Sequence, residues 1–288
     1  MFPTETELDE ILVGPESVSW RITSDTRLNA VMLYPLLLQV AHPTVSAGVM
    51  DFSEFERRPW ERLLRTLDYA SLLVYGGREA AMAGRRLHVL HRRFKGRRPD
   101  GGRYTALEPA AYAWVHATLL ESYVAGHAHV GRRLSLAETQ RFYREYRGLG
   151  RLIGVRERDL PPDWAGFRDY FARTSESELT RTEAVDRVLR AIGSTPPPRP
   201  LPGLVWRALR IPGRRLVWLG GVGLMTPELR RRLGISWNLI DEAQFQAMGA
   251  LLRPLTPLLP GSFTITGPDQ LRARREAIAA GPLGEGGP

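Results

Sequence analysis

Apolar residues recur at helical spacing along most of the chain, whereas no convincing run alternates between apolar and polar residues as a half-buried strand would. The pattern predicts an all-α fold with little or no sheet. Helices are expected over residues 5–13, 28–50, 54–75, 78–94, 108–130, 136 to at least 149, 163–173 and 183–192.

Prolines, glycines and capping residues set the expected ends of these helices. Pro35 and Pro43 should kink or break the second helix, because proline has no backbone N–H to donate. The glycine pair at 76–77 should end the third helix. Ser135, with Glu138 three residues later, forms a capping box, which predicts that a helix begins at residue 136.

Two polar or proline-rich segments interrupt the helical pattern. The segment from Lys95 to Arg103 is typical of a surface loop, and the proline-rich segment from Gly193 to Gly203 is typical of a linker. Thr226, followed by Pro227, then predicts a further helix. The part after the linker is short and rich in tryptophan and leucine, so we expect it to pack on the main body. The expected organisation is an N-terminal helical segment (1–16), a single main domain (17–238) and a C-terminal helix with a disordered tail (239–288).

Composition excludes several classes of chemistry. The 288 residues include no cysteine, which excludes disulfides, thiolate metal sites and iron–sulfur clusters. The net charge is +9, but the arginines are spread along the chain and no nucleic-acid-binding motif is present, so no nucleic acid is expected. The acidic N-terminus lacks a signal pattern and no long apolar run occurs, so we expect a cytoplasmic protein. Contact with a membrane surface is compatible with the arginines and tryptophans but is not expected. Nothing in the sequence indicates the oligomeric state.

His91 is the strongest candidate for chemistry among six histidines. It shares an apolar helix face with Gly84, Leu87 and Phe94, while arginines occupy the rest of that helix. The small residues on this face, Gly84 among them, leave room for a flat macrocycle. Two interpretations stay open from the pattern alone: a neutral core histidine bonded to a carbonyl, or a ligand of a metal or haem. His88, closer to the arginines, is expected at the surface or at the rim of a pocket.

The other histidines give weaker signals. His42 precedes Pro43 and looks inward, so it could line a pocket or bond an opened carbonyl. His116 lies on an apolar face with two tyrosines, which is typical of a core histidine. His127 and His129 are two residues apart on a helix and point in different directions, so a shared metal is not expected.

A polar face precedes His91 in the chain. Arg62, Thr66 and Tyr69 lie at helical spacing, and Arg65 borders their face. Beside a cofactor, a guanidinium could pair with a carboxylate and a hydroxyl could donate to bound oxygen. The alternative is a solvent-exposed face in which the arginines pair with local acids, such as Asp68.

The ordered segments of the chain resemble the MpaB/rubber-oxygenase haem family, which includes latex clearing protein. No single motif carries the resemblance; the order and spacing of several segments do. The matching segments are SVSWRI (Ser17–Ile22), LLLQVAHPTVSAGV (Leu36–Val49), FERRPWERLLRTLD (Phe55–Asp68), VYGGREAAMAGRRLHVLHRRFKG (Val74–Gly96), YTALEPAAYAWVHATLLES (Tyr104–Ser122) and LPPDWAGFRDYF (Leu160–Phe171).

The resemblance implies a helical domain with a globin-like core that encloses haem b. It implies that His91 is the proximal iron ligand and that Arg62 and Thr66 line the haem site. In rubber oxygenases a lysine precedes the threonine and can occupy the sixth iron position. Arg65 stands there in this chain, and arginine stays protonated and cannot ligate iron. His42 and His116 fall in shared segments and are candidates for the cofactor pocket.

The expected function is therefore that of a haem b-dependent oxygenase, with Arg62, Arg65 and Thr66 as the candidate catalytic residues. Its partners would be O2 and an apolar, unsaturated small molecule of the isoprenoid or lipid class. Two alternatives stay open. One is a haem-binding sensor or carrier without turnover, and the other is a haem-free helical module that binds an apolar ligand.

Overall fold

The computed structural model describes residues 2–53, 57–194 and 203–255. This part of the chain is almost entirely helical, which confirms the predicted all-α class. The α-helices are α1 (Glu5–Ile11), α2 (Val18–Thr23), α3 (Leu33–Val40), α4 (Pro43–Phe52), α5 (Pro59–Tyr75), α6 (Arg78–His91), α7 (Pro109–Val130), α8 (Leu136–Gly150), α9 (Trp164–Ser177), α10 (Glu183–Ser194), α11 (Gly203–Gly223), α12 (Pro227–Arg232) and α13 (Leu239–Leu255). The 3-10 helices are Thr26–Val31, Arg151–Ile153 and Glu157–Asp159.

Helix starts follow local capping chemistry. The Ser135 hydroxyl accepts the Glu138 amide at 3.2 Å, and the Glu138 carboxylate accepts the Ser135 amide at 2.9 Å, which confirms the predicted capping box of α8. At α12 the Thr226 hydroxyl accepts the Leu229 amide at 3.2 Å, which is a single N-cap bond. Pro43 separates α3 from α4, as predicted. Pro35 causes no break, because it lies in the first turn of α3, where its missing N–H would have had no partner.

Several predicted helices were too long. The helix expected over 5–13 ends at Ile11, and the one expected from residue 28 begins as a 3-10 helix and becomes α-helical at Leu33. The helix expected from residue 54 begins at Pro59, since proline favours the first helical position; residues 54–56 lie outside the described residues. The helix expected to reach Phe94 ends at His91, because the amide of Phe94 bonds the His91 carbonyl in a tight turn. The predicted linker falls mainly on residues 195–202, and the predicted tail on residues after 255; both lie outside the described residues.

The segment predicted as a loop from Lys95 to Arg103 instead contains a short hairpin. Strands β1 (Lys95–Arg97) and β2 (Arg103–Thr105) pair antiparallel, with Lys95 opposite Thr105. Gly101 takes a left-handed φ of 84°, and the Asp100 carboxylate accepts the Gly102 amide at 2.9 Å. This turn chemistry closes the hairpin, and strands this short carry no alternating pattern that the sequence could display.

One apolar core runs from Leu8 to Met248 through the described helices. Helices α3 and α7 cross in its centre, where the Trp114 indole donates to the Leu38 carbonyl at 3.0 Å. The last turns of α11 pack on α3 and on the 3-10 helix before it, and α13 packs on α7 and α11. Among the described helices, none has the length and the apolar character that crossing a membrane requires.

Candidate functional site

A helical hairpin brings the two predicted halves of the site together. Helices α5 and α6 pack against each other and are joined by Gly76 and Gly77, the latter with a left-handed φ of 51° that favours glycine. Arg62 near the start of α5 therefore lies opposite His91 at the end of α6. Their electrostatic interaction, which lowers the pKa of His91, agrees with this placement.

His91 is half-buried among aromatic rings. Its ring lies 5.5 Å from that of Phe94 and 5.7 Å, edge to face, from that of Tyr112. Burial, followed by the charges of Arg62 and His88, lowers the pKa of His91 from 6.5 to about 4. Its Nδ1 is buried without a hydrogen-bond partner in the described part of the chain. The lowered pKa favours the neutral imidazole at physiological pH, and among the described residues no carbonyl accepts a hydrogen bond from this ring.

Arg62 and Thr66 interact along one face of α5, as their spacing predicts. The Arg62 Nη1 donates to Thr66 Oγ1 at 2.5 Å, and the Thr66 hydroxyl donates to the Arg62 carbonyl at 2.8 Å. The Arg62 Nε also donates to Ser53 Oγ at 3.3 Å, which ties this face to the end of α4. Arg65 is exposed on the same helix. The guanidinium of Arg62 is thus held in place while it stays accessible.

Arg62, Thr66, His91, Phe94 and Tyr112 form a connected group, called the His91 cluster below. Sequence reasoning missed Tyr112 as a neighbour of His91, although Tyr112 shares a helix face with His116. The Tyr112 hydroxyl donates to the Ile153 carbonyl at 2.9 Å, which fixes its ring. Phe94 is stacked in turn on Phe52 at 4.5 Å.

Gly84 does not lie on an open surface. The expectation that Gly84 leaves an open face for a flat ligand was wrong, because that face meets the backbone of the 3-10 helix Arg151–Ile153. A Cβ placed on Gly84 would overlap the Leu152 carbonyl oxygen. Leu87 is half-buried one turn before His91. Gly84 therefore allows α6 to approach the core, which positions His91 indirectly.

His88 is half-buried against the N-terminal segment. Its ring packs edge-on against Phe2 at 5.1 Å, and the Arg85 guanidinium lies over the Phe2 ring at 6.0 Å from its centroid. The expected position at a rim agrees with this partial burial. The His88 ring also lies 6.5 Å, edge to face, from that of Tyr112, so His88 and His91 share one aromatic neighbour, and only His88 contacts Phe2.

His42 and His116 share no hydrogen bond or ring contact with Arg62, Thr66 or His91 among the described residues. The ring of His116 is 1% exposed and stacks on Tyr146 at 4.7 Å, and its Nε2 donates to the Tyr146 carbonyl at 2.8 Å. His42 is buried at the start of α4. His116 is a core histidine satisfied by a carbonyl, so the structure does not join it to the His91 cluster.

His127 and His129 bond carbonyl oxygens, as His116 does. His127 Nε2 lies 3.0 Å from the Ile22 carbonyl oxygen, and His129 Nε2 lies 2.9 Å from that of Phe245. In the described ranges, no three histidine, aspartate or glutamate side chains come together as they would around a metal ion. The His91 cluster therefore offers one imidazole, one guanidinium and the hydroxyls of Thr66 and Tyr112, of which the Tyr112 hydroxyl already donates to the Ile153 carbonyl.

Comparison with known proteins identifies a family. The family model described as "ER-bound oxygenase mpaB/B'/Rubber oxygenase, catalytic domain" matches residues 20–254, a range that includes the whole His91 cluster. The chain is also similar to an uncharacterized protein of Mycobacterium bovis and to one of Mycobacterium tuberculosis. Each is 25% identical over 237 residues, which cover 80% of this chain and 90% of the relative. No solved structure matches the chain significantly.

Proposed function

Since the chain belongs to the mpaB/rubber oxygenase catalytic-domain family, we propose that it is a haem b-dependent oxygenase with His91 as the axial iron ligand. The substrate class we propose is an apolar, unsaturated small molecule, such as an isoprenoid or a lipid. The observation that carries the proposal is the state of His91, which is neutral, half-buried and without a hydrogen-bond partner at Nδ1 among the described residues.

The donor set suits a haem better than a metal ion held by protein alone. A protein-only site needs three or four ligating side chains, and the described residues bring no such group together. A haem would need only one side-chain ligand from this cluster, and His91 would supply it. A neutral imidazole is a common choice for that ligand. Arg62, accessible beside His91, could pair with a propionate.

When bound, the haem supplies the redox chemistry that activates O2. The chain's own part is to hold and shield the reacting centre. His91 offers the nitrogen lone pair, which its low pKa keeps free of a proton at pH 7. The rings of Phe94 and Tyr112 pack against that imidazole, which is half-buried. The Thr66 hydroxyl can donate to an oxygen atom only by leaving the Arg62 carbonyl that it bonds in this structure.

Arg65 distinguishes this chain within the proposal. It is exposed on α5, one residue before Thr66, and its guanidinium cannot lose the proton that a ligating nitrogen must lose. The lysine-ligated resting state implied for rubber oxygenases is therefore closed to this protein. Apolar side chains near the cluster suit an apolar substrate, since Phe52 and Leu90 are both partly exposed.

The absorbance spectrum of the haem-loaded protein tests the ligand assignment. Wild-type protein should show a Soret band, His91→Gly should lose it, and added imidazole should restore it by occupying the cavity left by the ring. His88→Ala is the matched control, since His88 is also half-buried on α6 but packs on Phe2; it should retain the haem. No Soret band in wild-type protein, or equal loss in the two variants, would contradict the assignment.

Turnover is tested separately from haem binding. Oxygen consumption by the reduced, haem-loaded protein should rise with at least one member of a panel of terpenoids and unsaturated lipids. Product masses should increase by incorporated oxygen. A stable Soret band with no oxygen uptake across the panel would favour a non-catalytic haem-binding protein over an oxygenase.

A further inference from the structure

The first half of α11 stands away from the body of the protein. In its last turns, Gly220 and Gly221 approach Ala30 and Leu33 so closely that a Cβ would overlap them, and Leu219 and Val222 are buried. Before those turns, nearly every described side chain of residues 203–217 is exposed. This segment is called the α11 arm below. It consists of several helical turns whose described side chains are almost all exposed, although tertiary packing is what normally stabilises a helix.

The α11 arm carries an exposed apolar stripe. Val205, Leu209 and Leu216 recur at offsets of four and seven, which places them on one face of the helix. All three are exposed, Leu209 by 52%. Leu239 and Ile240 are also exposed, and the next residue, Asp241, forms an ion pair with Arg215 of the arm at 2.6 Å. Exposed apolar surface of this extent indicates an interaction site.

The face of the α11 arm opposite the stripe carries three arginines, with the exposed apolar side chains of Ile211 and Val217 at its two edges. Arg207, Arg210 and Arg214 recur at offsets of three and four, about half a turn away from the apolar stripe. They form no ion pair or hydrogen bond with another residue in the described ranges, whereas Arg215 is neutralised by Asp241. Residues 203–217 contain no aspartate or glutamate. The arm is therefore a helix with an apolar face and uncompensated positive charge.

We propose that the α11 arm docks this protein on an anionic phospholipid bilayer, with Val205, Leu209 and Leu216 in the boundary of the acyl chains and the arginines among the headgroups. A helix with an apolar face and a basic face lies in that interface. Charge favours the bilayer over a second copy of the chain, because two such arms would bring like charges together with no acid in either arm. The proposal goes beyond the proposed oxygenase function and does not depend on it.

Co-sedimentation of the full-length protein with vesicles tests the docking surface. Vesicles of phosphatidylcholine and phosphatidylglycerol should bind the protein, and vesicles of phosphatidylcholine alone should bind it much more weakly. The triple variant Arg207→Gln, Arg210→Gln, Arg214→Gln should bind about 100-fold more weakly. Added salt should weaken binding of the wild type, because it screens the headgroup charge.

A charge-matched variant controls for net charge. Arg133→Gln, Arg144→Gln, Arg173→Gln removes the same charge from exposed positions elsewhere and should bind nearly as well as the wild type. For the apolar face, Leu209→Glu should weaken binding about tenfold or more. Leu136→Glu, at a leucine that is 66% exposed on α8, should have little effect.

Two outcomes would overturn the proposal. Equal losses in the two triple variants would mean that net charge, not the arm, attracts the protein to vesicles. A lipid-free dimer that Leu209→Glu converts to a monomer, without vesicle binding by the wild type, would assign the arm to a second copy. Circular dichroism of each variant checks folding independently of haem, so failure here is distinguishable from failure of the oxygenase proposal.

Discussion

Replacing Gly84 by alanine should destabilise the protein, although glycine is a poor residue in the middle of a helix. Gly84 lies on the face of α6 that meets the 3-10 helix Arg151–Ile153, and a Cβ there would overlap the Leu152 carbonyl oxygen. The carbonyl belongs to the backbone, so it cannot turn aside as a flexible side chain could. Helix α6 or the 3-10 helix must move.

Two opposing effects determine how much Gly84→Ala changes the free energy of unfolding. Alanine at an unobstructed position within a helix is favoured over glycine by about 0.5–1 kcal/mol. Inserting an atom into a packed contact typically costs about 1–3 kcal/mol, since neighbouring backbone must shift. The contact at Gly84 is with backbone, which places it at the upper end of that range. We therefore expect Gly84→Ala to lower the free energy of unfolding by about 1–2 kcal/mol.

Gly148→Ala provides the matched control. Gly148 lies in α8, and a Cβ there would meet only the Ile11 side chain, at 3.9 Å, which is ordinary van der Waals contact. This variant should gain up to about 0.5 kcal/mol from helix propensity. Urea unfolding, followed by circular dichroism, measures both changes. Because His91 lies two turns beyond Gly84 on the same face, Gly84→Ala should also weaken haem retention in the proposed holoprotein.

Equal free energies of unfolding for Gly84→Ala and Gly148→Ala would refute this reasoning. The close approach of α6 to Leu152 would then not exist in solution. The explanation of how His91 is positioned would then fail as well.

Two further predictions concern titration and the iron's other face. Burial lowers the pKa of His116 from 6.5 to about 4, so the unfolded chain binds more protons in that window and the free energy of unfolding should fall as the pH drops through it, by up to about 3 kcal/mol. In urea titrations at several pH values, His116→Gln, which can still donate to the Tyr146 carbonyl, should lose the part of the slope that His116 contributes, while the part from His91 stays; an unchanged slope would contradict the assignment. Arg65→Lys should give the haem-loaded protein a low-spin absorbance signal that grows with pH, because lysine can lose its proton; an unaltered spectrum would mean that position 65 does not face the iron.

Periodicity predicted most of the helices because their packing depends on repeated apolar faces. The long α7 and the capped α8 begin and end close to where the sequence indicates. The predictions were wrong where the structure depends on the geometry of a single turn or residue, which the spacing of apolar residues does not show. The hairpin of β1 and β2 depends on a single turn, and Pro35 is harmless only because of its place in α3.

The site was predictable where its parts lie on one helix. The spacing of Arg62 and Thr66 indicates their contact, since side chains four residues apart on a helix meet. Tyr112 and Phe2 could not be assigned to the two histidines of α6, because those contacts join segments distant in the chain. A glycine such as Gly84 can mark either a helix face that leaves room for a ligand or one that touches another part of the backbone. The sequence does not distinguish the two cases, and the packing against Leu152 does.

The positions of Arg62 and His91 depend on how many residues separate each of them from the glycine turn between α5 and α6. Arg62 precedes Gly76 by as many residues as His91 follows Gly77, so the two side chains lie at the same distance from the turn and meet. One residue inserted within either helix would rotate everything beyond it by about 100° and shift it by about 1.5 Å. The cluster would separate with every side chain intact. Insertions and deletions between Arg62 and His91 should therefore be tolerated far less than substitutions, whereas the exposed turn around Gly101 should accept both.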